Sequence, residues 1–157
     1  MSEVEGLIEA DPNVRLVFRE LPILGDGSVF AAKAALAARN QDKYEEFHWA
    51  LMGMEERAQE ASVLRIAEEI GLDVDQLRSD MEAPEVQAHI DESMRLAQAL
   101  GFNGTPSFVI GDKLVPGLVE QDQLEALVDG ERLGLIGATR RMEAGARRSR
   151  LPAFTSR

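Results

Sequence analysis

The chain has 157 residues, a net charge of −11 and 45% hydrophobic residues. That size suits one domain burying roughly 70% of its unfolded surface, and the acidic balance argues against nucleic acid and anionic membrane as partners. With no cysteine anywhere, disulfides, thiolate metal sites and thiolate nucleophiles are all excluded.

The charge is unevenly spread. Residues 1–129 carry 10 Lys and Arg against 26 Asp and Glu, a balance of −16, whereas residues 130–157 carry seven Arg against Glu131 and Glu143, a balance of +5. Arg140, Arg141, Arg147, Arg148 and Arg150 lack aromatic interleaving, so they read as a solvated, flexible terminus rather than a phosphate site. No apolar run approaches the roughly 18 residues of a membrane span. Met1 to Glu5 has neither the basic start nor the apolar stretch of an export signal, so the chain as written is expected in the cytoplasm.

In chain order, Val4, Leu7 and Ile8 lie at helical spacing before Asp11-Pro12, which stops a helix. Val14 to Arg19 is β-branched and apolar and predicts a buried strand. Pro22 and Gly25 break the chain. A helical region follows: Ala31 to Arg39, then Tyr44 to Met52, then a helix on Val63, Ile66, Ala67 and Ile70 closed by Gly71. Asp73 with Gln76 predicts a capped fourth helix. Pro84 suits the first turn of a fifth, whose face is Val86, Ile90, Met94 and Ala97 and whose end is Gly101. Ser107–Ile110 and Lys113–Val115 predict a hairpin turning at Gly111-Asp112. Glu120 to Val128 supplies a last helix. The class is α/β.

Three stretches in this order resemble the DsbA family of thioredoxin-fold thiol-disulfide oxidoreductases. They are Val17-Phe18-Arg19-Glu20-Leu21-Pro22-Ile23-Leu24-Gly25, Tyr44-Glu45-Glu46-Phe47-His48 with Leu51-Met52, and Gly104-Thr105-Pro106-Ser107-Phe108-Val109-Ile110-Gly111. The resemblance implies a domain over 1–129 with a helical insertion at about 27–101, followed by a basic tail at 130–157. It also implies that a first strand and a Cys-x-x-Cys motif would precede Met1, making Met1 an internal methionine and the first strand missing. Losing such a strand forfeits on the order of 6 kcal/mol of burial and leaves two strand edges open, a route to homo-oligomers. Leu133–Ile136, or a second copy of the chain, is the expected filler of the slot.

The resemblance further implies a cis bond before Pro106, with Gly104, Thr105 and Pro106 contacting an extended or unfolded polypeptide. Family members work in the bacterial periplasm by thiol-disulfide exchange. Without cysteine this chain is expected to be redox-inactive, with no catalytic residue, cofactor or metal. The alternatives from the same fold are a non-redox peptide binder using the Pro106 groove and, more distantly, a glutathione-dependent transferase or isomerase with Ser2 as nucleophile. His48, beside Phe47 and Trp49, reads as a hydrogen-bonded structural residue, because no nucleophile accompanies it. His89, near Gln87 and Asp91, reads as solvent-exposed. Glu45-Glu46, Glu55-Glu56 and Glu68-Glu69 read as solvated helix faces.

Overall fold

The structure, a computed structural model, describes residues 2–148. Its elements are α1 (Ser2–Ala10), α2 (Asp26–Ala37) with a 3-10 turn at Ala38–Gln41, α3 (Tyr44–Met52), α4 (Glu60–Glu69), α5 (Val74–Met81), α6 (Pro84–Leu100), β1 (Ser107–Ile110), β2 (Lys113–Pro116) and α7 (Gln121–Arg148). They divide into two compact units. One spans Arg15–Thr105, and the other joins Ser2–Val14 to the chain from Pro106 onward.

The first unit is a helical core built around small residues. Ala34, Ala35, Ala37 and Ala38 are buried, and their short side chains leave room for Phe47 of α3, Val63 and Ile66 of α4 and Leu77 of α5. Phe47, Val63 and Leu77 are wholly enclosed, each worth about 1.5–3 kcal/mol of burial. A second apolar patch joins Ala32 and Leu36 of α2 to Val86 and Ile90 of α6. Local signals place the helix ends. Asp73 caps α5 by accepting from the Gln76 N–H at 2.9 Å, and Pro84 opens α6. Gly101 ends α6 at φ 74°, a left-handed conformation that costs glycine little.

In the second unit, α1 buries Val4 and Leu7, and α7 buries Leu124. Helices α1 and α7 pack together, and Arg132 donates to the Asp11 carboxylate just past the end of α1. The hairpin is antiparallel with Phe108 opposite Val115 and Val109 opposite Leu114. Gly111 takes φ 59°, as the first position of a tight two-residue hairpin turn requires, and a side chain there would collide with the Glu131 carboxylate. Among the described residues no helix is long and apolar enough to cross a membrane.

Three expectations need correction. Residues 14–19 do not form a strand, because the described sheet contains only β1 and β2. Residues 15–20 nevertheless alternate: Arg15, Val17 and Arg19 are exposed, while Leu16, Phe18 and Glu20 turn inward. That is the period of extended chain, but no backbone–backbone hydrogen bond among the described residues involves this stretch. Second, the last helix does not stop at Val128; it continues to Arg148. Third, Leu133–Ile136 are therefore turns of α7 and not a strand filling a slot. Arg150 lies outside the described residues.

Candidate functional site

Two features bear on function, and each is built locally. In the first, Gly104, Thr105 and Pro106 form a bend leading straight into β1. Thr105 is exposed and Pro106 half-buried. The Pro106 carbonyl accepts from the Gly117 N–H at 3.0 Å, so the pairing of β1 with β2 extends one step beyond the formal strands. Phe108 and Val115 share one face of the hairpin, and Val109 and Leu114 share the other. Val109 is 54% exposed and Leu114 46%, which leaves an apolar pair on that open face.

The second feature lies in the helical unit, where residues 18–20 meet α3. Tyr44 and His48 stand one helical turn apart, so both face the same neighbour. That neighbour is Glu20, which is itself buried. Its Oε1 receives the Tyr44 hydroxyl at 2.8 Å and lies 2.9 Å from His48 Nδ1. A carboxylate only accepts, so both hydrogen bonds run toward Glu20, and Nδ1 carries the proton. Phe18 closes the group. Its ring centroid lies 4.2 Å from that of His48 and 5.3 Å from that of Trp49. The Arg39 guanidinium sits 4.7 Å over the Tyr44 ring, a cation–π contact.

The electrostatics follow from this burial. Enclosure, reinforced by the adjacent Glu20 carboxylate, pushes the Tyr44 hydroxyl well above the ordinary tyrosine range. His48 is buried and bonded, as expected of a structural residue. His89 departs from the expected exposure. It is half-buried, and its Nε2 is enclosed with no hydrogen-bond partner. Desolvation, followed by repulsion from Arg39 and Arg19, holds its pKa below the usual histidine value. The acidic pairs Glu45-Glu46 and Glu68-Glu69 are exposed on helices, as expected, whereas Glu55-Glu56 are exposed in the bend between α3 and α4 and not on a helix face.

Glu20 is the residue that sequence reasoning missed. A signal was present: in the alternation from Leu16 through Phe18, Glu20 falls on the inward register, where an acid must find partners. The cluster has a base-like imidazole oriented by a carboxylate, but no nucleophile in its hydrogen-bonded set. What it does is fasten residues 18–20 to α3. Among the described residues no group of three or more His, Cys, Asp or Glu is placed to hold a metal ion.

The helical insertion between an extended segment and a hairpin, with the Gly104–Pro106 bend before β1, defines a thioredoxin-like fold. The DSBA-like thioredoxin domain family matches residues 2–129. The chain belongs to that family. It is similar to a solved thioredoxin-like oxidoreductase from Silicibacter pomeroyi DSS-3, with 70% identity and a TM-score of 0.83 over 84% of this chain and 76% of that one. It also resembles the thiol-disulfide exchange protein α-DsbA2 from Wolbachia pipientis, at 33% identity and a TM-score of 0.76, covering 82% of this chain and 71% of that one. Over 127 residues it is 30% identical to Na(+)/H(+) antiporter NhaA 3 of Salinispora tropica, covering 80% of this chain and 20% of that protein. The chain thus spans about a fifth of the length of the curated relatives it matches.

Proposed function

We propose that this chain is a DsbA-family domain that carries out no thiol-disulfide exchange with its own residues. The observation that carries the reading is the composition: a family match over 2–129 in a sequence with no cysteine. Exchange proceeds through thiolate attack on a disulfide sulfur. No other side chain substitutes, because a hydroxyl of ordinary pKa is a far weaker nucleophile and forms no disulfide. The test is turnover of insulin disulfides by rigorously purified protein. The expected result is the uncatalysed rate with and without the chain. Catalysed precipitation that copurifies with the protein and scales with its concentration would overturn the reading.

A second reading is favoured by the hairpin. β1 is paired on one side only in the described sheet, and it begins directly after the exposed Thr105 and half-buried Pro106. An extended polypeptide laid against β1 could exchange main-chain hydrogen bonds there while its side chains meet Val109 and Leu114. On this reading the chain holds unfolded or extended polypeptide without redox chemistry. Saturable binding of a reduced, unfolded peptide that is lost in Pro106→Ala supports it. Equal binding by the variant contradicts it.

A further inference from the structure

Helix α6 carries a histidine whose surroundings suit only one of its two charge states. His89 is half-buried, and its Nε2 is enclosed with no hydrogen-bond partner among the described residues. Ser93 stands one turn further along the same helix. It is 3% exposed, and its Oγ is enclosed and unpartnered as well. Val86 and Ile90, on either side of His89 in sequence, are the α6 residues that join Ala32 and Leu36 of α2, with Tyr44 packed against the patch. The imidazole is thus carried by the very turn that seats the first half of α6.

We propose that His89 is a proton-operated latch on α6: neutral, its ring stays packed and the helix seated; protonated, the ring turns out to water and the first half of α6 loosens from α2 and Tyr44. The charges around it set the direction. Arg39, which stands over the Tyr44 ring at 4.7 Å, and Arg19, ion-paired to Glu92 of α6 at 3.4 Å, both oppose a third cation. The two carboxylates that favour one are already engaged: Glu92 with Arg19, and Glu20 with the Tyr44 hydroxyl and His48 Nδ1. From α2, the apolar Ala32 and Leu36 form the shared patch. On α6 itself, Glu85 one turn back is exposed, and Asp91 accepts from Gln87. An enclosed, charged N–H without an acceptor carries the full cost of desolvation, so the ring takes up its proton by moving out.

Desolvation, and behind it the repulsion of Arg39 and Arg19, holds the folded His89 pKa below the usual histidine value. A lowered histidine pKa means that the packed form binds fewer protons than the open one. The seating of α6 is therefore at full strength above about pH 6.5, the ordinary value, and weakens as pH falls below it. His48 differs in kind, because its Nδ1 has the buried Glu20 carboxylate to donate to. The latch involves neither the β1 edge nor the Pro106 bend, and it stands or falls independently of the peptide-holding reading given for them.

The test is amide hydrogen exchange of the full chain at about pH 7.5 and about pH 5.5, on either side of the ordinary histidine value, with protection expressed relative to free peptide at each pH. Protection of the Ala88–Ser93 amides should fall about fivefold at the lower pH, while the amides of α4 and α5 keep theirs. His89→Gln, which stays neutral, should show no such fall. The chain has two histidines, so the ring protons of His89 can be followed by NMR, and they should titrate below the ordinary histidine range. The wild-type exchange and titration decide the matter on their own if the variant fails to fold. Four results would overturn the proposal: α6 protection that is the same at both pH values, an ordinary titration of His89, an equal fall in His89→Gln, or a fall shared equally by α4 and α5.

Discussion

The two units of this chain keep their shape by different means. In residues 15–105, packing dominates: Phe47, Val63 and Leu77 are fully enclosed against a floor of alanines from α2. In the unit formed by residues 2–14 and 106 onward, the buried apolar side chains among the described residues are only Val4, Leu7 and Leu124. There the hairpin ladder and the pair between Arg132 and Asp11 take a larger share. Among the described residues the buried apolar side chains are thus concentrated in the helical unit. The region nearest the Pro106 bend is then left with an open apolar pair at Val109 and Leu114.

The strongest way to break this comparison is truncation of a core residue in each unit. Phe47→Ala should cost about 3–5 kcal/mol in urea denaturation, because that ring is wholly buried in the main apolar cluster. Leu124→Ala, with fewer buried neighbours to lose, should cost nearer 2 kcal/mol. Equal losses would remove the distinction between the units.

A second prediction concerns the Glu20 cluster. Glu20→Ala leaves the Tyr44 hydroxyl and His48 Nδ1 buried without their acceptor, and should cost about 1–3 kcal/mol. The chain has a single tyrosine, so absorbance at 295 nm reports Tyr44 alone. Its folded pKa is raised by burial and by Glu20. Tyr44 thus adds stability that is complete below about pH 10, the unfolded value, and is lost as pH rises above it. In the wild type, tyrosinate should appear only as the protein unfolds in alkali. In Glu20→Ala it should appear earlier. An ordinary tyrosine titration in the folded wild type would contradict the cluster.

The smallest effect belongs to the other unit. The hydrogen bond from Arg132, aided by the Asn13 N–H, holds the Asp11 carboxyl below the usual aspartate value. A lowered carboxylate pKa adds stability above about pH 4, and this is lost as pH falls through the folded value. The pair is half-buried, so 1 M salt should screen only part of it. Arg132→Ala should return the Asp11 carboxyl to its ordinary titration by NMR. An unchanged titration would mean that the pair does not form in solution.

Much of the helical region was legible because its signals are local. Tyr44–Met52 was bounded by its own periodicity, α5 by the Asp73 cap, and α6 by Pro84 and Gly101. The hairpin was legible from Gly111-Asp112, whose backbone demands are equally local. Residues 14–19 show where such reading stops. Their composition specifies an extended chain, and the observed alternation agrees, but a strand is defined by its partner, which composition does not supply. The inward role of Glu20 and the burial of His89 were likewise invisible, since both depend on what α3 and α6 pack against. The Gly104–Pro106 bend was found by resemblance. Nothing in its spacing alone distinguished it from an ordinary turn.

The account rests most heavily on residues 15–20 being held by side chains alone, and amide hydrogen exchange reads that directly. Near neutral pH, the Leu16–Glu20 amides should exchange at close to free-peptide rates while the Phe47–Leu51 amides of α3 stay protected. Protection of Leu16–Glu20 comparable to that of α3 would show a backbone partner already in place and contradict the account.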